Sequence, residues 1–376
     1  MDDDAIVGAP LQSVASPGIT TVLTIIVPTL NERENIEPLV ALLAETLPDT
    51  AWEAIFVDDD SRDVTSEHVR ALARRNPRLR CLQRIGRRGL ATACIEGVLA
   101  SCSPYIAIMD ADLQHDERLL PRMLEAIESG TVDLVIGSRY VAGGGFGDWG
   151  SRRIRISGIA TRLAYFICKA EIADPLSGFF MCRREVFEGA LRHMSGQGFK
   201  VLLDLLASSP KPLRVRELPY RFRERQHGES KLDTLVAWEY GMLLADKLFG
   251  KFIPVRFAVF GLIGGLGLLV HLATLWIALD GLGFEFAAAQ ATATLVAMTS
   301  NFFLNNQFTY RDQRLHGLAL VRGRGVFYLI CAVGGVANVG VASFAFTSHY
   351  TWCVAGAVVG SVWNFAMSSV FTWRRR

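Results

Sequence analysis

Ile106-Ala107-Ile108-Met109-Asp110-Ala111-Asp112-Leu113-Gln114-His115 decides how the chain is read. Residues 105–109 are apolar and too few for a helix of their own, so they predict a buried strand. Asp110 and Asp112 then leave its carboxyl end, where open α/β sheets hold their ligands. These carboxylates and the Gln114 amide make a hard-oxygen set suited to Mg2+ or Mn2+ carrying a phosphate. Taken alone, the segment reads equally well as an acidic strand-to-helix turn.

The neighbouring segments repeat the pattern. Residues 22–27 form a β-branched run that stops at Pro28-Thr29-Leu30-Asn31-Glu32. Residues 55–57 run into Asp58-Asp59-Asp60-Ser61-Arg62-Asp63-Val64-Thr65. Short strands are also predicted at 79–83 and 133–137, the latter ending in Ser138-Arg139-Tyr140. Strands alternating with helical patterns predict βαβ units and a Rossmann-like, mainly parallel sheet. Right-handed crossovers would collect Glu32, Asp58, Asp59, Asp110, Asp112 and Arg139 along one edge. A ligand crevice explains that alignment better than a series of unrelated solvated turns. Neither G-x-x-x-x-G-K-[ST] nor a G-x-G-x-x-G after the first strand is present, so the P-loop and dinucleotide readings lose their support.

The 376 residues are 51% hydrophobic, with apolar residues concentrated after Phe252 and charge before it. A net charge of +2 gives no reason to expect nucleic acid. The seven cysteines include no C-x-x-C pair, which favours reduced thiols. Residues 1–20 read as a disordered tail. Apolar stretches near 253–279, 284–309, 325–346 and 352–373 each reach the roughly 20 residues that span a bilayer. Lys247, Lys251, Arg256, Arg311, Arg314, Arg322, Arg324 and Arg374 to Arg376 fall on one side of these spans. Positive-inside then places both termini and the first half in the cytoplasm, at a plasma membrane or a bacterial inner membrane. Asn301-Phe302-x5-Phe308-Thr309-Tyr310-Arg311 recurs as Asn364-Phe365-x5-Phe371-Thr372-Trp373-Arg374, an internal repeat of two helical hairpins. Gly264-Gly265 and Gly334-Gly335 are expected to permit close helix contact; the intramembrane asparagines (Asn301, Asn305, Asn306, Asn338 and Asn364) are expected to join helices, with a role in transport as the alternative.

Pro28 to Glu32, Val57 to Thr65, Asp110 to His115 and Gly137 to Tyr140 resemble the ordered motifs of family 2 glycosyltransferases, of the dolichol-phosphate mannose synthase type. The resemblance covers roughly residues 20–235, and the second half resembles the GtrA-like membrane domain. It implies a GT-A domain over 21–231, with an acceptor loop and interfacial helix at 148–169. An interfacial helix at 232–252 and a four-span all-α domain at 253–376 would follow. Pro28, Leu30, Glu32, Val57, Asp58 and Asp59 would line the base and ribose. Asp110, Ala111 and Asp112 would hold ribose and diphosphate, and Asp110, Asp112 and Gln114 the metal. Arg225 and Lys231, in R-x-x-G-x-S-K, would neutralise the diphosphate; Arg139, Arg153 and Ser157 would hold the acceptor phosphate. Asp174-Pro175-Leu176-Ser177-Gly178-Phe179 looks like the segment that shapes the sugar pocket. Leu30 stands where the family often has Tyr, and Val64 where Gly is usual.

The activity implied is inverting transfer of a sugar, mannose from GDP-mannose first, to a polyprenyl monophosphate. Asp112 and Arg139 would serve catalysis. UDP-glucose or another nucleotide sugar is the alternative donor, and a lipid-linked sugar transporter the alternative class. Partners would be the nucleotide sugar, the polyprenyl phosphate lipid and the membrane, with homo-oligomers through membrane or interfacial helices left open. His115 and His227 are not expected to be essential, because a phosphate nucleophile is already ionised near neutral pH.

Overall fold

The computed structural model describes residues 21–145, 151–165, 167–168, 172–196, 198–223, 234–249, 254–345 and 361–373. The chain divides near residue 231 into two compact units.

In the first unit β1 (Leu23–Thr29), α1 (Arg33–Thr46), β2 (Trp52–Asp58), α2 (Thr65–Ala73), β3 (Leu79–Gln83) and α3 (Leu90–Leu99) alternate as expected. Next come β4 (Tyr105–Ile108), α4 (Leu120–Glu128), β5 (Leu134–Ser138) and α5 (Ser151–Ala164). β6 (Phe180–Arg183), α6 (Arg184–Leu191), α7 (Val201–Ser208) and β7 (Val215–Pro219) complete it. The seven strands form one sheet in the order β3-β2-β1-β4-β6-β5-β7. β6 is antiparallel to both neighbours; every other pairing is parallel. β6 and β7 were not among the strands the sequence predicts.

The two-residue period of the strands divides the core. Leu23, Ile25, Val27, Ala54, Phe56, Ala107 and Val135 enter one apolar layer, where they meet α1 and α4. Ile26, Ile55, Val57, Ile106, Ile108 and Ile136 enter the other, with α3 and α7. Both faces are thus covered, as parallel strands require. Strand order reverses direction at β1 and β4, so the crevice beyond their carboxyl ends is the switch point where such sheets bind ligands.

The second unit contains α8 (Thr234–Phe249), α9 (Val255–Trp276), α10 (Phe286–Leu304) and α11 (Gly317–Ala345). A further helical segment at 361–367 leads into a π turn at Ser368–Thr372. Val255–Gly281 and Gly317–Gly334 are long and apolar enough to cross a membrane. α11 begins at Gly317, so Arg322 and Arg324 lie within a helix rather than in a loop before a span at 325. Arginine is a good helix former, and its long stem lets the charge reach the interface.

The sequence repeat is also structural. π turns occur at its matching positions, Asn305–Thr309 and Ser368–Thr372. Matching residues Tyr310 and Trp373 stack, with centroids 4.2 Å apart and 5° between planes. Phe302 meets Phe327 at 5.7 Å, and its counterpart Phe365 meets Phe257 at 5.3 Å. Asn306 Oδ1 accepts from Trp373 Nε1 (3.0 Å) and Leu315 N (2.9 Å), which makes it an interhelical tie. Close backbone approach falls at Gly267 against Asn301 and Gly334 against Asn364, whereas among the described residues none lies within 4 Å of a Cβ built at Gly264 or Gly265.

Candidate active site

The loops after β1 and β2 hold each other. Asn31 N donates to Ser61 Oγ (2.8 Å), Arg62 N to Asn31 Oδ1 (2.9 Å) and Arg33 N to Asp63 Oδ2 (3.1 Å). Glu32 N donates to Thr65 Oγ1 (3.1 Å), and the Glu32 carboxylate accepts from Asn35 (2.7 Å). Asp58 is fully buried, and its carboxylate accepts from Ser61 N (3.0 Å), Ser61 Oγ and Thr29 Oγ1 (3.3 Å). It fixes the loop, while the neighbouring Asp59 backbone is tied to Thr29 O (3.0 Å). Asn31, Asp60, Val64 and Leu113 have positive φ, and all four lie in loops beyond the ends of β1, β2 and β4. Left-handed backbone at side-chain-bearing residues is strained and concentrates where a ligand is received.

After β4 the chain turns sharply at Leu113 (φ 62°), and Gln114 N donates to Asp112 Oδ1 (3.1 Å). Gln114 Nε2 donates to Arg223 O (3.0 Å), leaving Oε1 as the acceptor end of the amide. Arg223 also pairs with Asp116 (2.6 Å) and Glu117 (2.7 Å), which clasps the chain after β7 to the D-x-D loop. Arg225 follows two residues later, but it and Lys231 lie outside the described residues. Among the described residues no three His, Cys, Asp or Glu cluster as a metal cage. The turn after β4 does offer a hard-oxygen set in Asp110, Asp112 and the Gln114 amide, to which phosphate oxygens of a nucleotide could be added. That set fits Mg2+ or Mn2+.

His115 is buried behind this loop. Its ring stacks on Phe179 (5.2 Å) and meets the edges of Tyr220 and Phe222. Nδ1 accepts from Asp110 N (3.1 Å), so the proton sits on Nε2, 3.8 Å from Asp110 Oδ2. Burial, helped by Arg139 and Lys200, pushes the imidazole down to about 4. A neutral ring thus holds the Asp110 backbone amide. On the other side, Gly178 lies so close that a Cβ there would be 3.2 Å from Asp110 Oδ2.

Arg139, at the end of β5, is 8% exposed, and its partner Asp174 is fully buried. Nε and Nη2 each donate to the Asp174 carboxylate at 2.8 Å, and the Arg139 backbone N adds a third bond at 3.1 Å. Despite burial, which lowers it, this pairing holds the guanidinium well above its ordinary pKa. Glu217 on β7 receives Ala173 N (2.7 Å) and Asp174 N (3.0 Å), and Ser177 Oγ donates to Gly137 O (2.7 Å). The D-x-x-S-G-F segment is thereby stapled to β5 and β7. Asp174 is a buried partner of Arg139 that the sequence reading left without a role of its own.

Ser157 Oγ on α5 lies 2.9 Å from Tyr140 Oη, beside the strand end that carries Arg139. The Arg153 side chain lies outside the described residues. Ile159 and Leu163, one turn apart on α5, are 60% and 43% exposed, while Thr161 and Ala164 face inward. Of the apolar positions expected to form a stripe, Ile159 and Leu163 are thus exposed and Ile167 is buried, while the side chains of Ile156 and Phe166 lie outside the described residues. Among the described residues six cysteines are free. Burial pushes the Cys81 and Cys182 thiols up, to about 11 and about 12.

Two family models match the chain, Glycosyl transferase family 2 over residues 24–190 and the GtrA/DPMS transmembrane domain over 259–373. The dolichol-phosphate mannosyltransferase of Pyrococcus furiosus is 33% identical over 355 residues, covering 88% of this chain and 99% of its own. This chain belongs to the dolichol-phosphate mannosyltransferase family. The Saccharomyces cerevisiae member is 37% identical over 238 residues, covering 61% of this chain and 88% of its own. Glucosyl-3-phosphoglycerate synthase from Mycobacterium tuberculosis, solved with Mn2+, UDP-glucose and glycerol 3-phosphate, aligns at 18% identity. That alignment covers 61% of this chain and 80% of the other, with a TM-score of 0.44. On the family matches over 24–190 and 259–373, the mixed sheet is the GT-A-like domain of a family 2 glycosyltransferase, followed by the GtrA/DPMS transmembrane domain.

Proposed function

We propose that the enzyme transfers a hexose, mannose from GDP-mannose in the first instance, to a polyprenyl (dolichyl) monophosphate at the cytoplasmic membrane face. One observation carries this reading: the switch point of the sheet brings the interlocked loops after β1 and β2 beside the D-x-D turn after β4. Pro28, Leu30, Glu32, Val57 and Asp59 line the nucleoside, with Asp58 as the brace of that wall. Asp110, Ala111 and Asp112 receive ribose and diphosphate, and Arg225 and Lys231 close over the latter. Asp110, Asp112 and Gln114 would hold Mg2+ or Mn2+, which when bound would offset negative charge on the diphosphate leaving group.

Arg139, Arg153 and Ser157 hold the acceptor phosphate, with Arg139 aligned by Asp174. A phosphate oxygen attacks the anomeric carbon as its bond to the diphosphate breaks, inverting the centre. The nucleophile arrives ionised, so no side chain must remove a proton, in keeping with a neutral, ring-enclosed His115. The exposed Ile159 and Leu163 of α5 fit a helix lying in the membrane interface, where a lipid acceptor is delivered. Four spans, cytoplasmic termini and a membrane domain that anchors this site complete the proposal.

The test is purified full-length protein with Mn2+, a short-chain polyprenyl monophosphate and a panel of nucleotide sugars. GDP-mannose should give nucleotide release and mannosyl polyprenyl phosphate. Release with UDP-glucose alone would reassign the donor, and no transfer from any donor would refute the proposal.

A further inference from the structure

Glu217 holds the start of the Asp174–Phe179 segment and has no part in the reaction as described so far. β7 is an edge strand of the sheet, and Glu217 sits on it opposite Ile136 of β5. A carboxylate on an edge strand is ordinarily free to turn toward water. This one is half-buried, and both its oxygens are engaged. Oε2 accepts from Ala173 N (2.7 Å) and Oε1 from Asp174 N (3.0 Å). Ala173 and Asp174 lie in neither helix nor strand, so their amides have no ladder partner and depend on such an acceptor.

The bonds close a ring. Ile136 pairs with Glu217, and Glu217 grips the Ala173 and Asp174 amides. The Asp174 carboxylate in turn grips Arg139, which follows Ile136 on the same strand end. Asp174 is thus fixed twice, at its backbone from β7 and at its side chain from β5. Its Oδ2 accepts from Arg139 Nε (2.8 Å) and Arg139 N (3.1 Å), and its Oδ1 from Nη2 (2.8 Å). Guanidinium and carboxylate meet fork to fork, so the plane of one dictates the plane of the other. A shift of the Asp174 backbone therefore turns the whole guanidinium, including the direction in which Nη1 points. Ser177 Oγ and Lys200 Nζ fasten the segment further along, at Gly137 O and Leu176 O, and neither bond involves the amides of Ala173 or Asp174.

We infer that Glu217 is a positioning residue for the transfer: by holding the Ala173 and Asp174 amides it sets the Asp174 carboxylate and, through it, the guanidinium of Arg139. This rests on the proposed reading in which Arg139 meets the acceptor phosphate. Glu217 itself touches no substrate. Its effect is carried by two links, each made of printed bonds no longer than 3.1 Å.

Glu217→Gln keeps the shape of the side chain but offers one acceptor oxygen to two amides and sets an NH2 group against the other. Steady-state kinetics and acceptor binding of the full-length protein, with donor and acceptor varied separately, test the inference. Glu217→Gln should raise the KM for the polyprenyl monophosphate, and weaken its binding, roughly ten- to a hundredfold, as expected for a displaced binding group. The donor KM and the binding of nucleoside diphosphate with Mn2+ should stay within about twofold, which also shows that the domain has folded. Arg139→Lys keeps a charge but has no fork for Asp174 to align. In that background Glu217→Gln should weaken acceptor binding by less than about threefold, because the link it acts through is already gone. Equal losses in both backgrounds would overturn the inference, since a purely structural Glu217 acts whatever stands at 139. Unchanged acceptor kinetics in Glu217→Gln, or a raised donor KM alone, would overturn it as well. Arg139→Lys with unaltered acceptor binding would instead strike at the reading of Arg139 as an acceptor ligand, and the inference would fall with it.

Discussion

Replacing Asp174 by Asn should be among the most damaging conservative changes in the α/β unit. Asp174 is fully buried and Arg139 nearly so, and the two share side-chain bonds of 2.8 and 2.8 Å plus a backbone bond of 3.1 Å. Asn keeps the shape but cannot satisfy both guanidinium nitrogens and the amide, and it leaves a buried cation without its counter-charge. Breaking a buried pair in this way costs about 3–5 kcal/mol. For a domain of this size each kcal/mol moves the midpoint by roughly 2–4 °C, so the transition should fall by about 10 °C. Thermal unfolding of the full-length protein in detergent, followed by near-ultraviolet circular dichroism, reads this directly. Arg139→Met with Asp174→Leu removes both charges and should regain most of the lost stability. That double variant should not regain transfer, because the aligned guanidinium is gone. A shift below about 2 °C for Asp174→Asn would refute the reasoning, since it would mean the pair is not desolvated.

Three smaller effects follow from the same geometry. Val64 is 46% exposed with φ 59° and ψ 29°, so Val64→Gly relieves a left-handed β-branched residue. Thermal unfolding should show a gain of about 1 kcal/mol, after the larger chain entropy of Gly is set against the strain. His115 has a folded pKa near 4 and an ordinary value of 6.5, so only the unfolded chain takes up its proton between those values. Stability should therefore fall as pH drops from 6.5 to 4, by up to about 3 kcal/mol from this group. His115→Asn should flatten that limb of the denaturation profile. Gly178→Ala puts a methyl 3.2 Å from Asp110 Oδ2 and 3.3 Å from His115 Cε1. It should weaken Mn2+ binding in the presence of nucleotide several-fold with little change in unfolding midpoint.

Much of this site could be read from the chain because its parts are local. Apolar runs that empty into polar turns mark β1, β2 and β4, and the D-x-D turn and its Gln114 lie within one short segment. Even the strain at Val64 was announced by the residue type at a position where Gly is usual. The missed strands had no such signal. Phe180–Arg183 is four residues long and carries no polar alternation, because it is buried between β4 and β5. Val215–Pro219 is an edge strand with three polar or proline positions, tolerable only where a ladder bond can be forgone. Asp174 was hidden for a related reason: its partner lies 35 residues away and is brought near by the β5–β6 pairing. The same holds for Arg223, whose acidic partners are 106 and 107 positions earlier.

The account depends most on where the divalent ion sits. A crystal of the full-length protein soaked with nucleotide sugar and Mn2+ locates it by anomalous scattering. The account predicts a peak bridging the diphosphate to Asp110, Asp112 and Gln114, lost in Asp112→Ala together with transfer. A nucleotide bound elsewhere, with this turn bare of metal, would contradict it.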